Sequence, residues 1–165
     1  MKKKKVLIVL TVFLLVAVVI ILLMNQLSYK IIENPVVASL PKYDSSDCYY
    51  SDGFQDYTDF RKYYYREQKD IIEGVEESQY FKSVTTKDIE ELKSYFDNFE
   101  KWLEYVDYKD EYDFQKEYID TTDYFYIENK DTSEKYIGYP DKYSAYNVYF
   151  FDMQTKILFF IHSNI

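Results

Sequence analysis

The chain has 165 residues, 20 Lys+Arg against 29 Asp+Glu and a formal net charge of −9, which is room for one ordinary domain and not two. Setting aside Lys2–Lys5 leaves 16 basic against 29 acidic residues, a balance of −13; this excludes a general nucleic-acid binder, whose affinity comes largely from Lys and Arg neutralising phosphates. One Cys and one His exclude any single-chain site that needs two of either or a Cys–His–Cys set, and no cofactor is implied.

Lys2–Lys5 open the chain as a basic n-region (residues 1–5). They are followed by 19 residues, Val6 to Met24, with no charge and with Thr11 as the one polar side chain. As a helix this run is about 28 Å long, close to the ~30 Å hydrocarbon core of a bilayer. The expectation is a single-pass transmembrane helix, or uncleaved signal anchor, over residues 6–24. By the positive-inside rule the N-terminus is then cytoplasmic and the C-terminal domain extracytoplasmic, at the cell membrane. The alternative is a cleaved signal that releases a secreted protein. Against it, a signal core is typically ~7–15 residues, and no small-x-small site closely follows Met24.

Residues 25–52 hold Pro35, Pro41 and the polar run Asp44-Ser45-Ser46-Asp47, and read as a stalk. A domain is expected over residues 53–165. From Phe54 to Val75 the spacing of Tyr57, Phe60, Tyr64, Ile71 and Val75 fits a helix, with Asp52-Gly53 before it and Gly74 near its end. A second helix is better specified. Thr85 and Asp88 form a capping-box pattern, and Ile89, Leu92, Phe96, Phe99, Leu103 and Val106 make one apolar stripe. Beyond Asp107 the period changes to short aromatic or β-branched runs: Tyr124–Glu128, Lys135–Tyr139, Tyr146–Phe151 and Ile157–His162. The last two read as a hairpin around Asp152–Lys156. The expected fold class is α+β, with two amphipathic helices packed on one face of a three- to four-stranded antiparallel meander sheet.

No catalytic or metal-ligating set emerges. His162 shares a strand face with Leu158 and Phe160 and reads as a strand-end histidine at a sheet edge. Cys48 stands alone between Asp47 and Tyr49, where acidic neighbours raise a thiol's pKa; an interchain disulfide is the functional alternative. The acidic stretches Asp44–Asp52 and Asp107–Asp113 lack the spacing of a calcium loop. Tyrosine is the distinctive residue, at 21 copies. Tyr63, Tyr64, Tyr65, Tyr124, Tyr126, Tyr146 and Tyr149 are the candidate binding surface, since an apolar ring with a polar tip suits interfaces; the competing reading is that Tyr is compositional filler.

The layout resembles that of small single-pass extracytoplasmic proteins of low-GC Gram-positive bacteria, which implies a location and no activity. The functional expectation is a non-catalytic, membrane-tethered interaction module. Its acidic, tyrosine-rich surface would meet a basic envelope or secreted protein. A small hydrolase using acidic residues is the alternative from another class.

Overall fold

The computed structural model describes residues 14–16, 18, 20, 21, 34–51, 57–129 and 145–164. The chain divides into two compact units, residues 1–40 and 41–165. In the first, Leu14, Leu15, Val16, Val18, Ile20 and Ile21 are helical and exposed. A single turn follows as α1 (Pro35–Ala38). Asn34 caps it, its side-chain oxygen accepting the Val36 N–H at 2.9 Å, and Pro35 stands where a helix needs no amide.

Among the described residues no helix is long and apolar enough to cross a membrane. A span needs about 20 consecutive apolar helical residues. The transmembrane, single-pass and membrane-localised expectation is corrected accordingly. The remainder of the Val6–Met24 run lies outside the described residues.

The second unit is built on a six-stranded sheet in the order β1-β2-β6-β5-β4-β3. The strands are β1 (Ser45–Tyr50), β2 (Tyr57–Tyr64), β3 (Lys82–Ser83), β4 (Tyr124–Asn129), β5 (Ala145–Asp152) and β6 (Ile157–Asn164), and every pairing is antiparallel. β5 and β6 form a tight hairpin. The Asp152 carboxylate accepts from the Gln154 and Thr155 amides at 2.8 and 3.2 Å. Lys156 closes the turn in the left-handed region, at φ 54.

Among the described residues two α-helices lie between the strands, α2 (Ile71–Glu76) and α3 (Thr86–Glu100). Asp88 fixes the start of α3, its carboxylate accepting both the amide and the hydroxyl of Thr85. The buried stripe Leu92, Tyr95, Phe96 and Phe99 then enters one core with Phe60 of β2, Phe125 of β4, Val148 and Phe150 of β5, and Phe159 and Ile161 of β6. Alternation along the strands puts Tyr63, Tyr149, Phe151, Leu158 and Phe160 on the opposite face, and these too are buried.

The sheet therefore corrects the expected architecture of two helices on three or four strands. The segment read as one helix over 54–75 is β2 followed by α2, and Ser45–Tyr50, read as stalk, is an edge strand. α3 ends at Glu100; Leu103 continues its stripe from a 3₁₀ turn, with Val106 just beyond. The expected strand Lys135–Tyr139 lies outside the described residues.

Candidate binding surface

α3 does not lead directly to β4. Three single-turn 3₁₀ helices intervene, Leu103–Tyr105, Lys109–Glu111 and Lys116–Tyr118. Leu103, Tyr108, Phe114 and Ile119 are buried and pin this connection to the core at regular intervals. The Phe114 ring lies 4.1 Å from that of Phe96 and 4.8 Å from that of Phe159. Tyr108 reaches β2, where its hydroxyl donates to the Thr58 carbonyl at 2.9 Å; burial pushes its pKa up to about 12. Tyr112 packs 4.9 Å from Phe60 and donates to Glu100 at 3.2 Å.

Two cations hold the connection electrostatically. Lys62 of β2 is buried, with its ammonium 3.0 Å from Asp113 and 3.9 Å from Asp47. Burial opposes its charge, but the hydrogen bond and charge of Asp113 with the neighbouring groups prevail and raise its pKa. Lys116 bridges Asp97 and Glu100, whose hydrogen bonds hold its ammonium well above the ordinary lysine range.

What remains outside these pairs faces water. Glu104, Asp107, Asp110, Glu111 and Glu117 are exposed, and among the described residues none of them makes an ion pair. Tyr105 and Tyr118 stand among them at 77% and 72% exposure, and the half-buried Trp102 ring lies 6.0 Å from that of Tyr105. Among the described residues the segment Trp102–Tyr118 thus exposes five unpaired carboxylates, one unpaired lysine (Lys109) and two tyrosines on a backbone anchored by its buried residues.

The seven tyrosines singled out from the sequence do not form this surface. Tyr63, Tyr65, Tyr146 and Tyr149 are buried, and the Tyr146 hydroxyl donates to the Tyr95 carbonyl at 3.1 Å. Tyr64 is half-buried and donates to Asp47 at 2.7 Å. Tyr124 and Tyr126 are half-buried on β4; Tyr126 lies 5.4 Å from the Tyr80 ring, and Tyr124 donates to Glu76 at 3.4 Å. Tyr105 and Tyr118, the two most exposed tyrosines among the described residues, were not among those singled out. The available signal for Tyr105 was its place beside the stripe, between Leu103 and Val106, where a helical reading already points it outward.

His162 is not at a sheet edge: β6 lies between β2 and β5. Its Nδ1 sits 2.6 Å from Asn147 Oδ1, and Asn147 donates onward to Glu128 at 2.7 Å. Glu128, Asn147, His162 and Asp59 thus form one row across four strands, with no nucleophile in it. Cys48 is an exposed free thiol on β1. Among the described residues no group of three or more His, Cys, Asp or Glu is placed to hold a metal ion.

Comparison of the chain with models of known protein families, with curated proteins and with solved structures returned no match in any of the three.

Proposed function

We propose that residues 41–165 are a non-catalytic interaction module and that the segment Trp102–Tyr118 docks a basic partner protein. The observation that supports this reading is the set of five unpaired carboxylates around Tyr105 and Tyr118, on a connection whose buried residues fix it in place. With Lys109 as the one opposing charge in the segment, a strong excess of negative surface charge accelerates encounter with an oppositely charged partner and rejects like-charged ones. Tyrosine supplies contact area at little entropic cost, because it has few rotatable bonds. A segment already ordered before binding loses less freedom on docking.

The test is capture by the tagged protein from a lysate of its source organism, at low and at about 0.5 M salt, a range over which exposed charges become screened. Wild type is compared with Tyr105→Ala/Tyr118→Ala. The expected result is a basic protein recovered at near-stoichiometric yield, weakened by salt and reduced about tenfold or more by the double substitution. Recovery of no basic protein, or equal recovery by the variant, overturns the reading.

A further inference from the structure

The start of β4 is tied to the β5–β6 turn by a buried carboxylate. Asp123 is 2% exposed. One of its carboxylate oxygens accepts the Met153 amide at 3.1 Å, and the other accepts the Asp120 amide at 3.0 Å. Its carbonyl accepts the Val84 amide at 2.9 Å, so the residue joins the end of β3, the turn before β4 and the β5–β6 turn. Side chains of the same kind cap both turns. Asp120 accepts from the amide and hydroxyl of Thr122, and Asp152 from Gln154 and Thr155.

The charge at this junction is of one sign. Asp120 and Asp152 are the charged groups that bear on Asp123, and both oppose its ionisation. Among the described residues no lysine or arginine, Lys156 of the turn included, forms an ion pair with any of the three. Lys82 on the adjoining β3 is engaged by Asp88 at 3.3 Å, and the hydroxyl of the adjoining Tyr124 meets Glu76 at 3.4 Å. A buried carboxylate without a cation lacks the solvation that water gives its charge. Two amide hydrogen bonds offset part of that cost, but burial prevails and Asp123 holds its proton up to about pH 6. Brought into water, the same group releases its proton near 3.8.

We propose that Asp123 is a proton-operated latch, which when protonated holds the β5–β6 turn to the start of β4 and when ionised lets that turn open on its own. Opening brings the carboxylate into water and away from Asp152. Gln154 and Thr155 are already exposed, and β5 and β6 are paired along their whole length behind the turn. Local opening of such a turn therefore takes far less than unfolding the sheet. Because opening releases a proton between about pH 4 and 6, the open fraction rises up to about a hundredfold over that window and levels off above it. The latch is separate from the Trp102–Tyr118 surface and does not depend on it.

The test is amide hydrogen exchange on the full chain from about pH 4 to 7, divided at each pH by the rate of an unstructured amide. Met153 is read against Val148 in the middle of β5. Urea promotes openings in proportion to the surface they expose. The expected result is that Met153 exchanges faster than Val148, is indifferent to dilute urea, and loses protection about a hundredfold between pH 4 and 6. Asp123→Asn, which cannot ionise, flattens that pH dependence. Should this variant fail to fold, the Asp123 carboxyl is titrated in the wild type by carbon NMR. Protection at Met153 then stops falling at the pH where that carboxyl titrates, and a mismatch between the two overturns the proposal. So does protection at Met153 that is constant with pH. Exchange at Met153 with the rate and urea dependence of Val148 overturns it too, because the turn then opens only with the whole fold.

Discussion

Asp123 is nearly fully buried just before β4, where its carboxylate accepts from the Asp120 and Met153 amides at 3.0 and 3.1 Å. Burial pushes its pKa from 3.8 up to about 6, against the pull of those two hydrogen bonds. Between these values the folded state holds a proton that the unfolded state has released. Its contribution to stability is therefore full below about pH 4 and is lost as pH rises through about 6, at a limiting slope of about 1.4 kcal/mol per unit. Asp88 and Asp120 act with the opposite sign. Hydrogen bonds from Thr85 and from Thr122 lower their pKa values, so their contribution is present above about pH 4 and lost as pH falls. Asp123→Asn should thus gain on wild type as pH rises from about 4 to about 6.5, in urea unfolding at each pH. A constant difference between the two proteins across that window would remove Asp123 from the pH dependence. At the residue scale, burial also separates tyrosines that the sequence shows alike. Runs such as Tyr63-Tyr64-Tyr65 are conspicuous, yet Tyr63 and Tyr65 are buried and Tyr64 is tied to Asp47. A tyrosine's frequency in a segment does not reveal which way its ring points.

α2 and the strand before it show why one element was mistaken for another. Phe60 and Tyr64 are four residues apart, a spacing that shares a face in a helix and in a strand alike. Because both faces of β2 are buried at Thr58, Asp59, Phe60, Lys62 and Tyr63, no polar-apolar alternation marks it as a strand. β1 was illegible for the opposite reason: only its Tyr49 packs against the core, half-buried, and the rest of Ser45–Tyr50 is largely polar. By contrast α3 was legible, since its capping residues and its stripe agree, and so were β4 to β6, where aromatic and β-branched residues are bounded by polar loops. Gly74 was read as a helix stop and is instead inside α2. A Cβ there would lie 2.8 Å from Cδ and 3.3 Å from Cγ of Pro41, and a proline ring yields little. Alanine would gain about 1 kcal/mol of helix propensity but meets an overpacking cost of about 1–3 kcal/mol. Gly74→Ala is expected to destabilise by about 1 kcal/mol in chemical denaturation, and Pro41→Ala in the same chain to recover part of it. A stabilised Gly74→Ala would mean that α2 moves freely away from Pro41.

At the scale of the whole molecule, charge and sheet edges act on each other. β1 presents an outer edge of six residues without Lys or Pro, the devices that commonly blunt such edges. A balance of −13 beyond Lys2–Lys5 supplies a different protection, because copies of the chain repel one another before their edges meet. The same repulsion acts within each copy and opposes the compact state. The ion pairs of Lys62 and Lys116 work in the other direction; their lysine side chains are 9% and 23% exposed but Asp113 and Asp97 are 64% and 55% exposed, so salt screens them in part, though less than the unpaired carboxylates. Raising ionic strength from about 0.01 to 0.15 M shortens the screening length from about 30 to 8 Å. The thermal midpoint is therefore expected to rise over this range at low protein concentration, followed by circular dichroism. Glu104→Lys/Asp107→Lys should raise the midpoint at low salt and flatten its dependence, since it converts two unpaired carboxylates into partners for their neighbours. A midpoint that falls with added salt would mean that the paired lysines outweigh the acidic surface, and that the exposed carboxylates are held at no cost to the fold.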